Sequence, residues 1–190
     1  MKIIRLAVEI FSLMALLGTI AVAQTSDTKS FAKDGLSFDY PAGWNVQDES
    51  TSDAQQLTLL RTDSDAQIRL LVHRGNIKAE KLPDAKKAFI DPYISYLNKQ
   101  FESMGASPKQ APDASEIGGV KAEGVNMTAS IGGEPGAARI YWALVGQRVS
   151  MLTYLGPDKD LKRFLPAWDL VRTSIKTSNV QPTPKPSPKP

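Results

Sequence analysis

Apolar residues in this chain recur with a period of two, then with helical spacing, then with each of these again. Leu36, Phe38 and Tyr40 alternate with Ser37 and Asp39, as in a strand with one buried face. Past the Pro41-Ala42-Gly43 turn, Trp44 and Val46 open a second strand, and Leu57, Leu59, Leu60 and Thr62 mark a third. Ile68, Leu70 and Val72 alternate with Gln67, Arg69, Leu71 and His73 in a fourth strand, which forms a hairpin with the third across a Thr-Asp-Ser-Asp-Ala turn. After Pro83 the period changes. Ile90, Ile94, Leu97, Phe101 and Met104 follow helical spacing, flanked by Phe89 and Tyr93. They predict a helix over Asp84–Met104 that kinks or restarts at Asp91-Pro92, with Gly105 as its stop.

Strands return in the segment from Ser115 and in the run from Ala137 to Leu155. The Val-Gly-Gln-Arg break predicts a hairpin there. Ile140, Trp142 and Leu144 point one way, and Tyr141, Ala143 and Val145 the other. Both faces are apolar, so both are expected to be covered. Leu161, Phe164, Leu165, Trp168, Val171 and Ile175 predict a closing helix, kinked near Pro166. Strands, helix, strands, helix make an α+β fold: an α/β/α sandwich around a mostly antiparallel sheet.

The ends of the chain read differently. Lys2 and Arg5 precede an apolar run from Ile10 to Val22, followed by Ala21-Val22-Ala23. This predicts a signal peptide over residues 1–23 and a periplasmic or secreted protein, with no stable membrane span once it is cleaved. Residues 24–32 read as a flexible lead-in, 33–177 as the folded domain, and 178–190 as a Pro/Lys-rich tail of polyproline character. The chain has no cysteine, which excludes a lipid-anchored leader, disulfides and thiolate chemistry. A net charge of +3, with no block of like charge, gives no reason to expect nucleic acid.

The opening stretch Gly35–Val46 resembles the start of the PsbP family, through Phe38, Tyr40, Pro41, Gly43 and Trp44. Ser174, Ile175 and Lys176 match the Ser-hydrophobic-Lys pattern at that family's end. The family includes an extrinsic oxygen-evolving subunit of photosystem II and bacterial secreted proteins, and it shares its fold with a Ran-binding nuclear import factor. The resemblance implies the same sandwich and a non-catalytic binding or assembly role toward a protein or envelope partner. Trp44 is expected to be a buried plug, contributing about 3 kcal/mol or more.

Chemistry is harder to find. His73 is the only histidine, on the more polar face of its strand beside Arg69. Asp53, Asp63 and Asp65 lack the spacing of a calcium loop. Gly118-Gly119 and Gly132-Gly133 lead into no helix, so neither is a phosphate loop. No catalytic residue, cofactor or metal site is expected. Arg69, His73, Lys185 and Lys189 are the binding candidates, with the two glycine turns and the basic tail as the expected contact surface. Two other readings remain open: a small-ligand or divalent-metal binder using a cleft between sheet and helix, and a hydrolase. A deep polar pocket with converging donors would favour the small-ligand reading.

Overall fold

The computed structural model describes residues 27–178. The expected signal peptide and the tail residues Lys185 and Lys189 lie outside the described residues. Ten strands occur there: β1 (Thr28–Lys33), β2 (Leu36–Pro41), β3 (Asn45–Asp48), β4 (Ala54–Arg61), β5 (Ser64–Asn76), β6 (Lys109–Ile117), β7 (Val120–Ile131), β8 (Glu134–Val145), β9 (Arg148–Pro157) and β10 (Lys176–Thr177). The helices are α1 (Leu82–Ala85), α2 (Asp91–Ser103), α3 (Asp158–Arg163) and α4 (Leu165–Ser174). Every strand pair is antiparallel. The strands form a seven-stranded sheet, β3-β4-β5-β9-β8-β7-β6, and a separate three-stranded sheet, β1-β2-β10.

The large sheet is covered on both faces, as the two-faced apolar hairpin β8–β9 requires. Tyr141, Ala143, Val145, Leu152 and Tyr154 enter one core with β2 and α4. Ile140, Trp142, Val149 and Met151 enter the other, with Ile90, Leu97 and Phe101 of the helical segment between β5 and β6. The product is the α/β/α sandwich, with the small sheet as an extra cover on the first face.

Trp44 stands at the corner where the chain leaves the small sheet for the large one. Gly43 turns there at φ +86°, where a side chain would also meet the Arg61 guanidinium at 2.9 Å. Trp44 is 2 % exposed and packs edge-on against Phe164, between α3 and α4, at 5.6 Å. It fills the gap between the sheets beneath the closing helices. The Ser-hydrophobic-Lys end returns to this opening strand. Ser174 Oγ accepts the Asp39 N–H at 2.8 Å and donates to the Leu170 carbonyl, while Lys176 pairs with Ser37.

Several expectations need correction. The lead-in 24–32 is not loose throughout: from Thr28 it is strand β1, paired with β2 over its whole length. Asp34 (φ 47°) and Gly35 (φ 72°) supply the positive φ values that close a two-residue hairpin. Strand β6 begins at Lys109, before the expected Ser115. It is an exposed edge strand that tolerates Pro112 because no strand among the described residues pairs on its outer side. Met104 is 49 % exposed, because it caps α2 and does not extend the apolar stripe. The expected kink at Asp91-Pro92 is a single π turn over Lys86–Ile90. There the Asp91 N–H bonds the Lys86 carbonyl, widening the helix just ahead of the proline.

Candidate functional site

The two faces of β3, β4 and β5 differ in composition. Leu57, Leu59, Ile68 and Leu70 point into the first core. The alternate residues are mostly polar, with Leu60 and Leu71 the exceptions, and strand register aligns them. Gln47 lies opposite Thr58, Thr58 opposite Arg69, and Arg69 opposite Thr153 of β9, so one polar row crosses four strands. Gln56 and Gln67 flank that row.

The helical segment leaves this half of the face open. An open groove of about 520 Å³ results, floored by the polar row and walled by Tyr93 and Tyr96 of α2, with Glu49 at its β3 end. The volume falls within the usual range of small-ligand pockets, about 300–1,000 Å³. Tyr93 and Tyr96, three residues apart, share one side of α2. Tyr96 leaves 53 % of its surface exposed.

Polar groups converge here without full satisfaction. Arg69 Nε and Nη2 donate to Gln67 Oε1 at 3.0 and 2.7 Å, which orients the guanidinium with no carboxylate bound to it. Thr153 is 1 % exposed, yet its Oγ1 has no hydrogen-bond partner among the described residues; the buried Tyr93 hydroxyl has none either. Most buried polar side-chain atoms find a partner, so two such hydroxyls lining one groove are a specific feature.

Of the binding candidates, Arg69 sits at the centre of the groove. His73 lies further along the same face of β5, outside the lining. Its ring packs on Phe89 at 4.9 Å, and its Nδ1 accepts the Gly75 N–H at 3.0 Å. The two glycine turns do not form one surface. They close successive hairpins of an antiparallel meander, β6–β7 and β7–β8, and so lie at opposite ends of the sheet. The Gly118 turn is moreover packed against the C-terminus of α4. Its N–H bonds the Arg172 carbonyl at 2.9 Å, and any side chain there would strike the Ile175 carbonyl. Among the described residues, no three His, Cys, Asp or Glu side chains cluster to hold a metal ion. No helix there is long and apolar enough to cross a membrane.

Tyr93, Tyr96, Thr58, Gln67 and Thr153 were missed as site residues by sequence reasoning. The polar face of β4 and β5 was visible as alternation, but which strand would lie beside β5 was not.

The fold has known counterparts. The cyanobacterial PsbP (CyanoP) of Synechocystis sp. PCC 6803 superposes with a TM-score of 0.53 at 14% identity, over 85% of this chain and 99% of that one. The chain has the PsbP-like fold. A Bacteroides thetaiotaomicron protein (TM-score 0.49, 13% identity) aligns with 79% of this PsbP-like chain and 48% of its own. LpqN, involved in cell envelope biogenesis of Mycobacterium tuberculosis, aligns at a TM-score of 0.43 and 13% identity, over 80% of this chain and 91% of its own. No protein-family model matches the PsbP-like chain, and no curated protein matches it by sequence.

Proposed function

We propose that this protein is an exported, non-catalytic binding domain that holds its partner in the groove between the β3-β4-β5-β9 floor and α2. The carrying observation is the pair of unpartnered hydroxyls, Thr153 Oγ1 and Tyr93 OH, beside an Arg69 guanidinium that Gln67 holds in place. Both oxygens are buried at the groove floor, so a ligand with its own donors and acceptors would meet Arg69 and the glutamines first and reach the hydroxyls only by a small shift of their side chains. The leader sequence and the missing cysteine support export without a lipid anchor.

Binding without turnover fits the lining. Glu49 is its one carboxylate, and it contains no histidine. Acid–base hydrolysis of a polar substrate needs two groups that divide the work. Residues 181–190 are a second contact element, proposed on their two lysines alone. Removing them should weaken envelope association in a salt-sensitive way and leave the melting temperature unchanged.

The test is isotope-labelled mature protein titrated with solubilised material from its own cell envelope. Amide shifts should concentrate at Thr58, Arg69 and Thr153, and Arg69→Ala should weaken association. Shifts confined to the β6 edge or the glycine turns, with Arg69→Ala binding as the parent does, would overturn the reading.

A further inference from the structure

We infer that the ligand class of this groove is a neutral saccharide, held with a sugar ring against Tyr96 and its hydroxyls on the polar row; this rests on the groove being the binding site. The chemistry of the lining separates the possible ligands. A divalent cation needs several oxygen ligands, usually carboxylates among them, and Glu49 is the lining's only carboxylate. An anion would meet a single cation, Arg69, already shared with Gln67, and would meet the opposite sign at Glu49. An acyl chain would find Leu60, Leu71 and Met151 in the lining, but it would leave Arg69 and the amides of Gln47, Gln56 and Gln67 covered without partners. A peptide cannot add as a strand, because the floor is the face of a sheet whose backbone groups are spent on the β3–β4, β4–β5 and β5–β9 ladders.

A saccharide satisfies each constraint. Its hydroxyls both donate and accept, and so do the amides of Gln47, Gln56 and Gln67 and the hydroxyl of Thr58, with the buried Thr153 hydroxyl beneath them. The planar Arg69 donors present a fork suited to two adjacent oxygens. The apolar C–H face of a pyranose needs an exposed aromatic surface, which Tyr96 supplies at 53 % exposure on a helix otherwise packed by Leu97 and Phe101. Glu49 and Arg69 carry opposite charges, so the groove favours a ligand without net charge. The groove stays open at the β3 end, where the exposed Gln47 and Glu49 stand, leaving room for a chain longer than one ring.

The test is titration of the full mature chain with neutral gluco- and N-acetylgluco-oligosaccharides of two to four rings, both anomeric linkages, followed by calorimetry and amide shifts. Inorganic phosphate and acetate serve as anionic probes. Saturable binding by at least one oligosaccharide is expected, with shifts at Arg69 and Thr153. Tyr96→Ala should weaken it about five- to tenfold, the scale of one lost ring contact. Tyr96→Phe should hold affinity within about twofold, since it keeps the ring. Both variants should melt as the parent does, so loss of binding is not loss of fold. Saturation by phosphate or acetate in place of every oligosaccharide would overturn the saccharide and leave the groove as an anion site. Envelope material that shifts Arg69 and Thr153 while no oligosaccharide does would overturn the saccharide and leave the binding reading standing. Absence of groove shifts with every probe and with envelope material would overturn both.

Discussion

The two faces of the large sheet are made by the same strands and do opposite things. On the first face, Leu57, Leu59, Ile68, Leu70, Val72, Leu152 and Tyr154 are all buried beneath the small sheet and α4. Trp168 stacks on Tyr154 at 5.1 Å and lies 5.9 Å from Tyr141. Burial pushes both tyrosine phenols well above their ordinary range, and in Tyr141 the bond to Asp113 adds to the effect. The largest buried polar group on this face is tied down, although Asn126 Oδ1 and Arg172 Nε are buried here without a partner among the described residues. Arg148, 1 % exposed, donates to the His73 and Asp34 carbonyls and to Gln55 Oε1, while Gln55 Nε2 donates to the Lys33 carbonyl. On the second face, the buried apolar core stops at β9 and Leu71. Beyond them the floor is polar except for Leu60, and two hydroxyls have no partner among the described residues. One face is built for closure, and the other is closed only where its residues allow it.

The sharpest way to break this contrast is at the corner. Trp44→Ala should lower stability by about 3–5 kcal/mol, as large aromatic truncations in cores do, read from a denaturant melt. An unchanged melt would mean that Trp44 is not part of the first core. Arg148→Ala should cost about 2–3 kcal/mol by leaving buried carbonyl acceptors unpaired. Its hydrogen-exchange signature should be early opening of β1 and β2, because the Asp34 turn is one of the places it holds. Uniform loss of protection across both sheets would show that Arg148 does not pin the small sheet.

On the second face the sign should reverse. Thr153→Val keeps the side-chain shape and removes a buried hydroxyl without a partner, so it should stabilise the free protein by about 1 kcal/mol and weaken ligand binding. A loss of stability would mean that the hydroxyl is satisfied in the free protein. Arg69→Ala should stay within about 0.5 kcal/mol of the parent, as a substitution outside the core does.

The smallest effect is electrostatic and lies at the sheet junction. Hydrogen bonds from Lys33 and Ser50 hold the Asp48 carboxyl down at about 2, against an ordinary 3.8. A depressed carboxyl stabilises the fold above its unfolded value and loses that contribution as pH falls through its folded one. The Lys33–Asp48 pair, 2.7 Å long and largely exposed, should therefore add a shallow acid slope between about pH 4 and pH 2. Asp48→Asn should flatten it. An identical slope in the variant would assign the acid sensitivity elsewhere.

Alternation and helical spacing alone place β2, β4, β5, β8 and β9 and the apolar face of α2, because each pattern is local: one residue decides which way the next points. The resemblance at Phe38–Trp44 and Ser174–Lys176 also proved structural, since those segments touch through Ser174 and Asp39. The Asp34-Gly35 signal was equally present, flanked by Phe31 and Leu36, and marks the β1–β2 hairpin that the polar lead-in concealed.

Local pattern could not supply which strands become neighbours. The row Gln47, Thr58, Arg69, Thr153 joins residues more than a hundred positions apart in the chain, through the pairing of β5 with β9. Alternation shows that Arg69 shares a polar face; it does not show that Thr153, in a strongly apolar strand, completes that face, or that the π turn before Pro92 precedes the helix turns that set Tyr93 and Tyr96 over it. The sequence by itself determined the strongly periodic elements and the sides they bury, because those depend on backbone period and side-chain type, while the polar strand β1 and the start of β6 carried no such period. Tertiary structure decided the groove, because a site made across strands exists only once long-range register has brought its residues together.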